Sequence, residues 1–165
     1  VIIGLLVFGF ATQLMFSQIE KLPEVDITVN YKYLNSINAE TQDVDIRVKA
    51  LEEKVAFYNI KENELYNDEY ETYYVTFYIP QGEIVAAYDK DGKIIRTIER
   101  FKNIELPKIV MLSIVEKYPK WHVMGDVYKV YYSDKSGIAK KKYIVNLQKD
   151  GKYIKVKIND KGEFR

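Results

Sequence analysis

The sequence has no cysteine, one histidine and one tryptophan in 165 residues. Without cysteine there can be no disulfide, thiolate metal site or cysteine nucleophile. The lone His122 could hold zinc only with carboxylates as its co-ligands. It follows Trp121 at the start of a strand, where a solvated or capping role suits it. A Ser-His-Asp triad would have to combine His122 with Ser133 and Asp134, which lie in a turn-like segment. Neither G-x-x-x-x-G-K-[ST] nor G-x-G-x-x-G occurs, and a single histidine cannot build the His-x-Gly-His cluster of nucleotidyl transfer. The net charge of +1 lacks the basic excess of a nucleic-acid binder. These absences leave no candidate catalytic residue, no metal site and no cofactor.

Tyrosine is abundant instead, at 15 residues against 7 phenylalanines. Tyrosine suits a half-buried sheet, its ring lying inward or flat on the surface and its hydroxyl wet. Val1 to Ser17 carries no charge, and its run Val1–Ala11 has the length of a secretory signal rather than of a bilayer span. A buried strand or a membrane anchor is the other reading of this run. As a signal it implies a periplasmic or secreted protein, with no stable membrane insertion after cleavage.

Periodicity then assigns elements. Val25 to Leu34 alternates at period two and predicts a strand, and Asn35 to Gln42 reads as a loop. Val44, Val48, Leu51, Val55 and Tyr58 form one helical stripe, with Asp43 placed to cap it. Lys61 to Glu71 is acidic and aperiodic, a loop. Tyr73, Val75, Phe77 and Ile79 alternate along a strand that ends at Pro80-Gln81-Gly82. Glu83–Tyr88 and Lys93–Phe101 are the arms of a hairpin whose turn contains Asp91-Gly92. Asp89, Asp91 and Gly92 resemble the start of a calcium loop, but position 93 already begins a strand where further oxygens would be needed, so a plain turn is the reading. Leu106 to Tyr118 is a second helix with Leu106, Val110, Ile114 and Tyr118 on its core stripe. Strands follow over Val127–Tyr132, Lys141–Leu147 and Lys152–Ile158.

The order helix, strand, strand, strand occurs twice. At an offset of 59 positions Lys90-Asp91-Gly92-Lys93 matches Lys149-Asp150-Gly151-Lys152, Leu51 falls on Val110 and Val55 on Ile114. The predicted fold class is α+β: tandem helix-plus-antiparallel-sheet repeats, with two helices on one face of a continuous or near-continuous antiparallel sheet. The segments are 1–18 signal peptide, 19–42 N-terminal strand and loop, 43–102 first repeat and 103–165 second repeat, the two repeats forming one domain.

Leu106-Pro107-Lys108, then Val110, Ile114 and Tyr118-Pro119-Lys120-Trp121, preceded by Tyr88-Asp89-Lys90-Asp91-Gly92, resemble a PepSY-like domain of the exported kind found in Bacteroidetes. Such domains resemble the fold of a secreted β-lactamase-inhibitor protein. The resemblance covers about residues 43–165 and implies an α+β fold and an envelope location. It carries no catalytic site and no inhibitory target, since the matched residues are structural. The run Ile109-Val110-Met111-Leu112 departs from it, being more apolar than an outer helix face.

Charge is split along the chain: residues 40–71 hold ten acidic and four basic side chains, and residues 129–157 hold nine lysines and two aspartates. Alternating solvated strand faces and protected edges are one reading of this; two poles, with the basic one facing an acidic partner or envelope glycan, is the functional reading. The sequence therefore predicts a non-enzymatic exported module that holds a protein or peptide of the cell envelope on an open tyrosine-rich sheet face. Tyr74, Tyr78, Tyr132, Tyr143 and Tyr153 are its candidate contacts, with Lys140, Lys141 and Lys142 at a hairpin tip. Inhibition of a secreted or periplasmic peptidase or β-lactamase is the alternative.

Overall fold

Among the described residues six antiparallel strands lie in one sheet in the order of the chain, each joined to the next in space. The structure is a computed structural model and describes residues 30–38 and 43–165. The elements are α1 (Tyr31–Asn38), α2 (Ile46–Ala56), a 3-10 turn (Ile60–Glu62), β1 (Thr72–Ile79), β2 (Gly82–Asp89), β3 (Ile94–Lys102), α3 (Lys108–Lys117), β4 (His122–Ser133), β5 (Ile138–Lys149) and β6 (Lys152–Ile158). The α+β class expected from the sequence holds. The helices number three among the described residues rather than two, and their buried residues Tyr33, Ile37, Val48, Leu51, Val55, Val110 and Ile114 share one core cluster with one face of the sheet.

The additional helix is a correction. Period two predicts that Tyr31–Leu34 ends a strand and that Asn35 opens a loop, yet Tyr31–Asn38 is helical. Tyr33 and Ile37 are its buried residues, and a spacing of four is one turn of helix. The alternation of Tyr31 and Tyr33 fits a strand equally well over so short a window. Val25–Val29, the expected signal and positions 39–42 lie outside the described residues.

In α2 the capping residue is Asp45 rather than Asp43: its side chain accepts from the Arg47 N–H, leaving one fewer orphan donor at the helix start. Its carboxylate also accepts from Glu105 N at 2.9 Å and pairs with the Arg47 guanidinium at 2.5 Å. The Arg47 hydrogen bond holds the Asp45 carboxyl well below the usual range.

The expected core stripe of the last helix is present, with Val110 and Ile114 buried and Leu106 and Tyr118 partly so. Its C-terminal motif is structural: Tyr118 meets Trp121 and Phe164 edge-on, and Phe164 bridges back to Ile158.

The two Asp-Gly hairpins that echo in sequence close differently. Asp150 and Gly151 both have positive φ, 47° and 76°, the signature of a two-residue type I′ turn. In the first hairpin Asp89 N bonds Lys93 O, and Asp89 Oδ1 accepts from the N–H groups of Asp91 and Lys93 at 3.0 and 2.9 Å. The same pattern recurs at the C-terminus, where Asn159 N bonds Glu163 O and Asn159 Oδ1 accepts from Lys161 N and Glu163 N. The carboxylate of Asp89 is thus a turn cap, which explains why Gln148 can stand at the matching position of the tighter turn.

Candidate binding face

All three described helices cover the same side of the sheet, and among the described residues the other side is left open. Register identifies its residues. One row runs Thr76, Val85, Ile98, Tyr131, Lys140 from β1 to β5; the row beside it runs Tyr78, Glu83, Arg100, Lys129, Lys142. On the other side of the first lies Tyr74, Ala87, Arg96, Ser133, Ile138. Further along come Lys102, Val127, Ile144 and Lys157, then Asn146 beside Lys155, then Gln148 beside Tyr153.

The structure brings some of the expected contacts to this face and removes others. Tyr74, Tyr78 and Tyr153 are exposed at 64%, 70% and 71%. They do not form one patch, because Tyr74 and Tyr78 stand on β1 and Tyr153 on β6, about 24 Å apart across the strands. Tyr132 and Tyr143 are corrections: they are 1% and 0% exposed and lie beneath the helices. Tyr143 stacks on Tyr128 with ring centroids 4.6 Å apart, and Tyr132 meets Tyr33 edge-on. Burial pushes the Tyr132 hydroxyl up to about 12 and raises that of Tyr143 further.

The lysine cluster is corrected as well. Lys140, Lys141 and Lys142 lie in the body of β5, opposite Tyr131, Val130 and Lys129, rather than at a hairpin tip. Lys140 and Lys142 are on the open face and exposed, whereas Lys141 is buried. Its Nζ donates to Ile37 O at 2.5 Å, which places a cation at the C-terminus of α1, where the helix dipole favours it.

Strand parity could have separated these residues. Lys129 shares its face with Tyr131, which is 43% exposed and is not among the tyrosines expected there. Tyr143 shares its face with Val145 and Leu147, both fully buried, while Asn146 and Gln148 mark the wet side.

The open face has two halves. Toward β1 it is aromatic and aliphatic, with Tyr74, Tyr78, Val85 and Ile98. The Arg96 guanidinium lies 5.9 Å from the centre of the Tyr74 ring. Toward β6 it is cationic, with Lys129, Lys140, Lys142, Lys155 and Lys157. Lys129 and Lys142 stand directly opposite each other, an arrangement that costs stability. Glu83 is the one carboxylate in these rows, and among the described residues no ion pair engages Arg100, Lys129, Lys140 or Lys142. Where the halves meet, Ile98, Lys129, Tyr131, Lys140, Lys142 and Arg165 line a shallow depression of about 310 Å³, whose lining also reaches Glu99, Val130 and Lys141 of the covered parity.

Beneath the sheet a polar cluster went unread in the sequence. Glu99 accepts from Tyr33 OH at 2.9 Å and from Thr97 Oγ1 at 2.7 Å. Its carboxyl meets that of Glu52, and Lys141 is near both. Both glutamates are buried. Burial raises both carboxyls; the charge of Glu99 raises Glu52 further, while the two hydroxyl donors restrain Glu99. Two buried carboxyls in contact cannot both be charged cheaply, which favours a proton held between them. Glu52 stands four residues after Val48 on the inner stripe of α2, which was the available signal. The cluster lies on the covered face, with Tyr33, Glu52, Thr97 and Glu99 all buried.

His122 is exposed at the start of β4, opposite Gln148. Among the described residues no group of three or more His, Asp or Glu side chains could hold a metal ion, and no helix is long and apolar enough to cross a membrane. No protein-family model, curated protein or solved structure matches this chain.

Proposed function

We propose that this chain is a non-enzymatic binding module of the cell envelope that holds a protein or peptide on the open face of its sheet. The observation that carries the reading is the one-sided cover: among the described residues three helices occupy one face and leave Tyr74, Tyr78, Ile98 and Tyr131 exposed on the other. Tyrosine gives large contact area at low cost in rotamer entropy, so such a surface suits protein recognition. The export component rests on the uncharged run from Val1 to Ser17. A PepSY-like tandem origin is part of the proposal. Its support is the repeated order of one helix and three strands, together with the burial of Leu51, Val55, Val110 and Ile114 at the matched positions.

The test compares capture from envelope extract by the wild-type chain and by a variant carrying Tyr74→Ala and Tyr131→Ala. Loss of a specific captured protein in the variant, with its thermal unfolding unchanged, supports the face. An identical set of captured proteins excludes it.

A further inference from the structure

We infer that the cationic half of the open face takes an extended acidic polypeptide segment with an aliphatic side chain seated in the depression over Ile98 and Tyr131. This deepens, and rests on, the reading of that face as a binding surface.

Three observations converge. The first is unbalanced charge. Lys129 and Lys142 are directly opposite on adjacent strands, and Arg100 is opposite Lys129 on the next strand. Like charges so placed repel, and among the described residues no acid forms an ion pair with any of them. A carboxylate-bearing ligand relieves that repulsion on binding.

The second is spacing. Lys140 and Lys142 point the same way two residues apart on β5, as do Lys155 and Lys157 on β6. This repeat is about 6.8 Å, which is also the distance between same-side side chains of an extended peptide. Alternate carboxylates of such a peptide meet successive lysines without bending either chain.

The third is the floor. The depression of about 310 Å³ has an aliphatic and a tyrosine side chain between its cations. Ile98 is 51% exposed there, available to cover an aliphatic side chain of the ligand. Nucleic-acid bases are held by successive stacking rings, and Tyr131 is the one ring in this lining, so polypeptide is the favoured class.

The experiment measures fluorescence anisotropy of a labelled heptapeptide of six glutamates around a central leucine. Three further probes accompany it: the same peptide with glutamine for glutamate, the same peptide with serine for leucine, and a thymidine oligonucleotide of equal length. The acidic leucine peptide should bind at least about tenfold more tightly than the glutamine peptide, and its affinity should fall with added salt. The serine peptide should bind several-fold more weakly. Lys129→Glu with Lys142→Glu should raise its Kd at least about tenfold. Lys54→Glu with Lys108→Glu, the same charge change on the helix side, should leave it unchanged.

Equal effects of the two double reversals, or tighter binding of the oligonucleotide than of the acidic peptide, would overturn the inference. Circular dichroism and thermal unfolding of each variant separate lost binding from lost folding. The capture experiment distinguishes this failure from failure of the broader reading. A protein lost with Tyr131→Ala but retained with Lys129→Glu and Lys142→Glu leaves the binding face standing and removes the acidic segment.

Discussion

Lys141 stands between Lys140 and Lys142 on β5, and on the opposite face of the sheet. The two outer lysines belong to an exposed cationic surface with almost no carboxylate on it. The inner one is enclosed with two buried glutamates and caps a helix. The same residue type one position apart therefore answers to different physics. On the covered face a charge must be matched locally, because desolvation is severe and removing one partner strands the other. On the open face water screens each lysine, so charges of one sign can gather at small cost and remain available to a partner. A local imbalance of charge is informative on the second face, where the fold does not need it.

The largest predicted effect sharpens this contrast. Lys141→Ala removes the cation from the Glu52–Glu99 pair and a donor from the end of α1. It should cost about 3 kcal/mol in urea unfolding at pH 7, whereas Lys142→Ala should stay within about 0.5 kcal/mol of wild type. Comparable losses for the two variants would break the distinction between the faces.

Asn30 holds the covered side at its margin. Its side chain donates to Ala56 O and Gly92 O, both at 3.2 Å, and accepts from Ile94 N at 2.7 Å. It ties the β2–β3 turn to the end of α2. Asn30→Ala leaves these groups unpaired in a buried place and should cost about 2 kcal/mol by the same measurement.

The buried acids make the covered face sensitive to pH. Glu52 has a folded-state pKa above its unfolded one, so the folded protein holds more protons than the unfolded chain. Its contribution is fully present below the unfolded pKa and is lost as pH rises toward the folded one, at up to about 1.4 kcal/mol per pH unit. Glu52→Gln keeps a donor toward Glu99 and removes the titration. Its stability relative to wild type should therefore rise with pH above about 4.3. Burial raises Asp126 to about 6, so Asp126→Asn should show the same sign over a narrower window, from about 3.9 to that value. A variant-minus-wild-type difference that is flat in pH would remove the shared proton from the description of the core.

Much of the architecture was legible because it depends on neighbours in sequence. Alternation along Tyr73–Ile79, the stripe through Val110 and Ile114, and Gly151 in its turn each express a constraint that closes within one hairpin or a few helical turns. The open face was half legible. Of the tyrosines expected there, Tyr74, Tyr78 and Tyr153 lie on it, whereas Tyr131 and not Tyr132 is exposed on β4. The segment Val127–Tyr132 has apolar residues on both parities, and its alternation alone does not name the covered side; Lys129 does. The inward positions of Lys141 and Glu52 could be read from Val145 and Val48 on the same faces, but not the pairing that makes their burial tolerable. A buried charge depends on a partner that the chain brings from far away, here across 89 positions from Glu52 to Lys141.

The sequence by itself determined the strand periods, the turn positions and the exclusion of thiol chemistry, since these follow from residue type and local geometry. Only the tertiary structure decided that Tyr31–Asn38 winds into a helix, that all three described helices gather on one face, and that Lys141 is enclosed with Glu52 and Glu99 while its two neighbours face water. Burial is a relation between distant segments. A lysine, a tyrosine or a short alternating run acquires its role from whatever is packed against it.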